Sequence, residues 1–139
     1  MELDQALTWA AERKTAVLIT LRKDGRAQSS DITYLVDDGQ IVISLTDSRA
    51  KTKNMRRDNR VVLHITAPDA WSYVSFDGTV ELSAVATSTD DEVADQLVDY
   101  FERVTGQAHP DWDEYRQAMV DEGRMIVTFT PGNVVGQIR

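Results

Sequence analysis

Six basic residues and a single acid occupy the twelve positions Arg49-Ala50-Lys51-Thr52-Lys53-Asn54-Met55-Arg56-Arg57-Asp58-Asn59-Arg60. The window carries a charge of +5 in a chain whose formal net charge is −8, which leaves −13 for everything outside it. Arg49/Lys53, Lys53/Arg56 and Lys53/Arg57 stand three or four apart, a spacing at which like charges repel across one helix face. The chemistry such a cluster offers is the holding of an anion. Thr46-Asp47-Ser48 supplies N-cap candidates, so the basic residues fall in the first turns of a short helix. Free N–H groups and a partial positive charge already favour an anion at that end. Arg49 and Lys51 add full charges there, where basic residues are ordinarily disfavoured, and arginine brings a planar fork suited to phosphate. Ser44 and Thr46 lead in from the preceding strand with two hydroxyls.

Other chemistry is scarce. The chain has no cysteine, which removes disulfides, thiolate nucleophiles and cysteine-ligated zinc. His64 falls in a strand and His109 beside Pro110, with no neighbours that suggest a triad; the expectation is a packed His64 and a His109 exposed in a loop. No His/Asp/Glu group has metal-ligand spacing, so no metal is expected. The acid pairs Asp37-Asp38 and Asp90-Asp91 fall at a turn and a helix start, where solvation and the helix dipole account for them. Neither a Gly-x-Gly-x-x-Gly fingerprint nor a Walker loop is present. An anion site without its own acid, base or nucleophile points to a borrowed redox cofactor, which a protein need only bind, orient and shield. Trp71-Ser72-Tyr73 carries aromatics that suit a core, a dimer contact or the wall of a pocket for a planar ring.

The elements that must position these residues are short. Residues 1–139 read as one domain, long enough to bury a core unaided. No apolar run approaches the roughly 18 residues of a membrane span, and the opening Met-Glu-Leu-Asp does not read as a signal peptide, so a cytoplasmic protein is expected. An acidic chain repels nucleic-acid phosphates over most of its surface, which argues against that partner. A helix is expected over residues 3–12, a buried strand over 16–21 and a hairpin turn at Asp24-Gly25. A return strand over 27–36 and a third strand over 40–46 complete a three-strand meander. After the basic helix come strands over 60–65 and 71–82. A helix opened by the capping-box pattern Thr89-x-x-Glu92 then runs to about 104 and ends at Gly106. A second helix begins with Pro110 at its first position and runs to 120. Strands over 125–129 and 134–138 close the chain. Six or seven strands joined mostly by tight turns favour a small β-barrel decorated by helices.

The run Arg49–Asp58 resembles the R-A-K-T-x-N-L-R-R-D signature of the F420-dependent split β-barrel reductases, within the flavin reductase and pyridoxamine-phosphate-oxidase-like superfamily common in actinobacteria. Asp24-Gly25-Arg26-x-Gln28-x-Ser30, Trp71-Ser72-Tyr73 with Gly78-Thr79-Val80, and the helix Trp112-Asp113-Glu114-Tyr115-Arg116-Gln117-Ala118-Met119 agree in order and spacing, so the resemblance covers nearly the whole chain. It implies a mainly β fold with α, an FMN-binding split-barrel-like domain. It also implies a homodimer with cofactor grooves along the subunit interface. By resemblance, Arg49, Lys51 and Asn54 hold the phosphate of coenzyme F420, with Lys53 close by. Ser44 comes from the strand beneath, Gln28, Ser30 and Asp31 face the ring or its ribityl chain, and Trp71 lines the groove. No side chain is implied as catalytic. Ala27 stands where the family often has proline, and Asp31 where it often has asparagine; an ionised carboxylate only accepts hydrogen bonds, and near acidic groups of the cofactor it weakens binding.

The implied activity is hydride transfer from reduced deazaflavin to a small conjugated acceptor such as a quinone, a tetrapyrrole or an enone. Two alternatives stay open. FMN also carries a phosphate on a ribityl chain, so an FMN-dependent oxidoreductase of the same superfamily fits the basic cluster. A non-catalytic F420-binding or storage protein fits too, with Arg56, Arg57 and Arg60 attracting the anionic polyglutamate tail.

Overall fold

Strand parity decides which residues enter the core. In the computed structural model, which describes residues 1–69 and 71–139, β1 (Thr15–Leu21) buries Ala16, Leu18 and Thr20 and leaves Val17, Ile19 and Leu21 half-exposed. The same alternation governs β4 (Gln40–Thr46), which buries Ile41, Ile43 and Leu45, and β5 (Arg60–Thr66), which buries Val61, Leu63 and Ile65. With β2 (Ala27–Thr33), β3 (Leu35–Asp37), β6 (Tyr73–Leu82) and β7 (Arg124–Gln137) they form one antiparallel sheet, ordered β2-β1-β5-β6-β7-β4-β3. Its inner face curls around the main core, from Leu18 and Ile43 to Phe76 and Phe129. The fold is therefore the expected mainly β split barrel, with seven strands.

The expected three-strand meander is not what forms. The strand read over residues 27–36 is broken at Tyr34 into β2 and β3. β2 pairs with β1, whereas β3 pairs with β4, and these ladders lie at opposite edges of the sheet. The cause is Tyr34, whose ring turns into the core at 2% exposure. Its hydroxyl donates to the Ala10 carbonyl at 2.6 Å and its backbone N–H to the Lys14 carbonyl at 2.9 Å. Both partners belong to α1 (Leu3–Ala11) and the turn after it, and Ala6, Leu7, Trp9 and Ala10 bury that helix against the barrel.

The two closing strands expected over 125–129 and 134–138 are one long strand, β7. A bulge lets it bend: Asp77 faces Asn133 and Gly78 faces Pro131, so Gly132 has no partner. Proline has no N–H to give the ladder and is tolerated at such an irregularity. The approach there is close, because a Cβ on Gly78 would lie 2.1 Å from the Thr130 carbonyl oxygen. Two helix starts also differ from expectation. The cap of α3 (Glu92–Thr105) is the Asp91 carboxylate, which accepts the Ala94 N–H at 2.8 Å, not Thr89. The cap of α4 (Trp112–Asp121) is Asp111, accepting from Glu114 N–H at 3.1 Å, so Pro110 precedes the helix. Gly106 ends α3 in a left-handed conformation, φ 71°, as expected.

Helices α3 and α4 cover only part of the sheet's outer face. Leu97, Tyr100 and Met119 pack on Ile126 of β7, with Leu35 and Val42 at the margin, as a second core. Across β1, β5 and β6 the outer side chains Val17, Ile19, Leu21, Val62, His64 and Tyr73 stay half-exposed, and Val135 of β7 is 57% exposed. No helix among the described residues is long and apolar enough to cross a membrane.

Burial pushes the Tyr34 phenol upward, so it keeps its proton and donates at any ordinary pH. Tyr34→Phe removes that donor and leaves the Ala10 carbonyl to the Arg13 N–H, at 3.0 Å. The expected cost is about 1–2 kcal/mol in urea unfolding. A midpoint indistinguishable from wild type would show that ring burial alone sets the strand break.

Candidate functional site

The basic segment forms α2 (Ala50–Arg57), and its N-cap is Arg49 rather than any of Thr46, Asp47 or Ser48. No side chain caps it. Asp47 instead binds Arg56 at 2.6 Å, and the Thr52 hydroxyl donates back to the Thr46 carbonyl at 2.8 Å. Among the described residues, the N–H groups of Ala50 and Lys51 have no acceptor. The end of the helix is thus open to an anion.

The six cations divide into two sets. Arg56 is held by Asp47, Arg57 donates to the Leu21 carbonyl at 3.1 Å and to Asn54 Oδ1 at 2.8 Å, and Arg60 donates twice to Asp58 at 3.0 and 2.8 Å. Those Arg60 hydrogen bonds hold the Asp58 carboxyl down at about 2. Arg49, Lys51 and Lys53 have no carboxylate within 4.0 Å among the described residues.

Arg49 and Lys51 open onto a cleft of about 180 Å³ between the ends of β2 and β4, which Asp31, Thr33, Ser44, Thr46 and Arg124 also line. Arg124 begins β7 directly opposite Thr46, and its guanidinium reaches Glu122 at 3.3 Å. The Lys51 ammonium lies below its ordinary value, first through burial and then through the nearby Arg49 charge; Asp31 opposes these effects and Arg124 adds to them. A part-dry cleft with more cations than acids is one that an anion relieves.

Of the residues expected at the site, the structure brings Asp31, Ser44, Arg49 and Lys51 together at this cleft. Asn54 and Gln28 do not line it. Asn54 is buried beneath α2, and its amide donates to Thr20 Oγ1 and to Gln28 Oε1, both at 3.1 Å. Both donors are engaged, so Asn54 ties the helix to β1 and β2. Ser30 shares Gln28's face of β2; its Oγ is the buried side-chain polar atom without a hydrogen-bond partner among the described residues. Lys53 is exposed on the helix and does not line the cleft. Trp71 lies just before β6, 63% exposed, and does not line it either.

A wider trough of about 540 Å³ shares Asp31, Ile32 and Thr33 with the cleft and continues over Thr15, Val17, His64 and Thr66. The expectation of a packed His64 is therefore corrected. With Leu63 and Ile65 inward, position 64 faces out, where the ring stacks on Tyr73 at 5.6 Å and approaches Thr66 Oγ1 at 3.1 Å. His109 is corrected in the opposite sense. It is half-buried among Phe101, Trp112 and Tyr115, with ring centroids 5.3, 5.8 and 5.3 Å away.

Arg124 and Thr33 belong to the lining and are absent from the expected site residues, whereas Thr46, expected to lead in beside Ser44, does line it. Arg124 is the consequential omission. It lies far along the chain from the basic helix, in no readable pattern, and only the β4–β7 register puts it beside Thr46. No group of three potential metal ligands occurs among the described residues. The arrangement offers an anion two cations without carboxylate partners and the open N–H groups of a helix end, beside a trough with room for an attached group.

Comparison with known proteins agrees with this architecture. The family model described as pyridoxamine 5'-phosphate oxidase matches residues 3–137. The chain is similar to a solved F420 reductase at 24% identity and TM-score 0.68, covering 91% of this chain and 94% of that one. A conserved hypothetical protein from Mycobacterium tuberculosis matches at 22% identity and TM-score 0.76, over 98% and 84% of the two chains. The heme storage protein of Vibrio cholerae matches at 14% and 0.69, over 97% and 94%. At these identities the likeness is one of fold.

Lys51 carries a sign that can be tested. Its charged form is less favourable in the folded chain than in the unfolded one. Stability attributable to it therefore rises as pH climbs from the lowered folded value toward 10.5, the ordinary lysine value. At neutral pH, in phosphate-free buffer, Lys51→Gln is expected to unfold at the wild-type temperature or slightly above. The stabilisation that added inorganic phosphate gives the wild type should shrink in the variant. A loss above about 1 kcal/mol without phosphate would make Lys51 a structural residue instead.

Proposed function

The chain belongs to the pyridoxamine 5'-phosphate oxidase family, and from that premise we propose that it binds coenzyme F420 and serves as a reductase of a small conjugated acceptor. The observation that carries the reading is the pair Arg49 and Lys51, without carboxylate partners at the open end of α2, in a cleft continuous with a trough. The longer motif around them, and not the charge alone, favours the deazaflavin over FMN.

The residues fit such a group. Arg49, Lys51 and the N–H groups of Ala50 and Lys51 hold the phosphate, with the Ser44 and Thr46 hydroxyls at its side. Ser30, whose buried hydroxyl lacks a partner among the described residues, sits on the face of β2 opposite Asp31 and lines neither the cleft nor the trough, so it gives the ligand no contact here. When bound, the reduced deazaflavin supplies a hydride. Val17, Ile32 and Thr33 shelter the trough and orient what lies in it. The acceptor is a quinone, a tetrapyrrole or an enone.

A second copy of the chain completes the groove. The half-exposed apolar face of β1, β5 and β6 suits a homodimer contact, and Trp71 walls a cofactor groove only from across such an interface. This is a cytoplasmic homodimer in the reading we favour. The storage alternative has less support, since Arg56, Arg57 and Arg60 are held by local partners instead of standing ready for an anionic tail. FMN remains the rival cofactor, because the family is described by a flavin-type oxidase and the phosphate chemistry is shared.

Equilibrium titration with coenzyme F420, FMN and hemin separates the readings. F420 is expected to bind most tightly, and Arg49→Ala to weaken it by about ten- to a hundredfold, the equivalent of roughly 1.5–3 kcal/mol for one charge-assisted contact. Reduced F420 with a panel of quinones, tetrapyrroles and enones should then be oxidised catalytically. Tighter binding of FMN or hemin overturns the cofactor assignment, and tight F420 binding without turnover on any acceptor returns the storage reading.

A further inference from the structure

Resting on the reading of the cleft as a phosphate site, we propose that Asp31 selects the charge of that phosphate: it admits a singly charged phosphodiester and disfavours a doubly charged phosphomonoester. Four charged side chains line the cleft, namely Arg49, Lys51, Arg124 and Asp31. Arg124 is paired outside the cleft with Glu122, with both Nε and Nη2 at 3.3 Å, so its charge is partly offset although it still acts on Lys51. Arg49 and Lys51 have no carboxylate within 4.0 Å, and Asp31 has no cation within that distance, among the described residues. Asp31 is nonetheless close enough for its charge to act on Lys51. Two cations and one carboxylate leave a net charge of about +1 for the ligand to balance.

Coenzyme F420 carries its phosphate as a diester, between the ribityl chain and the tail, with one negative charge at any ordinary pH. FMN carries a monoester, whose second ionisation near pH 6 brings it close to two charges at neutral pH. The first matches the cleft, and the second places an extra charge beside Asp31. A repulsive element against the wrong ligand is how closely related ligands are told apart.

Asp31 is placed to make that distinction. It points to the outer face of β2, opposite Val17, and lines both the cleft and the trough. A chain running from a phosphate in the cleft into the trough therefore passes it. The carboxylate also accepts hydrogen bonds from ribityl hydroxyls, a gain common to both cofactors that cancels in their ratio.

The test compares wild type with Asp31→Asn, binding FMN, the methyl phosphodiester of FMN and coenzyme F420. FMN and its methyl ester differ at the phosphate alone. At about pH 7.5, where the monoester is doubly charged, Asp31→Asn should tighten FMN on the order of tenfold more than its methyl ester. At about pH 5.5, below the second ionisation, that difference should shrink. Riboflavin, which has no phosphate, should show no such pH-dependent change. Glu122→Gln, on another element, releases Arg124 and should shift the FMN-to-ester ratio in the same direction. Equal shifts for FMN and its ester, or identical pH dependence in both proteins, overturn the role of Asp31 while F420 binding stands. If wild type binds neither F420, FMN nor inorganic phosphate, the phosphate reading itself falls, and the proposal with it.

Discussion

Burying Tyr34 is the constraint from which the cleft follows. A continuous strand over residues 27–37 would lie beside one neighbour only. Turning Tyr34 inward, with its hydroxyl on Ala10, splits it so that β2 stays with β1 and β3 crosses to β4. The two edges of the sheet are thereby joined through one residue, and the end of β2 comes against the end of β4. Asp31 and Thr33 on one side then meet Ser44 and Thr46 on the other, and α2 starts from the end of β4 directly over the gap. Tyr100 secures the same corner from α3, with its hydroxyl donating to the Thr33 carbonyl at 3.2 Å.

The basic helix tolerates its charge by dividing labour among its residues. Arg56 and Arg60 are neutralised by acids close in sequence, and Arg57 is engaged by a carbonyl and an amide. Asn54 anchors the helix from below through Thr20 and Gln28, and Met55 buries beside it at 1% exposure. What remains uncompensated sits at the N-terminal end, where the backbone dipole also works against it. A fold selected for stability alone would have placed an acid there. The residue types of the motif thus serve two ends: Arg56, Arg57 and Arg60 are engaged locally, whereas Arg49 and Lys51 stand without carboxylate partners at the cleft and Lys53 faces solvent.

Much of this is legible in the residues. The alternation in β1, β4 and β5, the Asp-Gly hairpin, the two long helices and Gly106 as a terminator all follow from local chemistry. His64 is legible too, though only through its position: Val61, Leu63 and Ile65 settle its outward direction by parity, whereas its residue type suggests a packed ring. A polar residue inside an anion motif invites a ligand role for Asn54, but burial beneath the helix gives its amide to Thr20 and Gln28. Arg124 is beyond reach, since its place depends on a long-range strand register. The break at Tyr34 is hidden for a similar reason, as its partners lie on α1 and the turn after it, and no local signal marks them.

The same parity explains why a shared fold says so little about ligand. Inward positions such as Leu18, Ile43 and Phe129 are fixed by packing, so they define the barrel that the structural neighbours have in common. Outward positions on the same sheet, among them Asp31, Ser44 and His64, touch the cleft and trough and are free to differ without disturbing the core. One barrel can therefore underlie an F420 reductase and a heme storage protein. Ligand identity then resides in a few alternate residues and in the sign and number of their charges, not in the sheet that displays them.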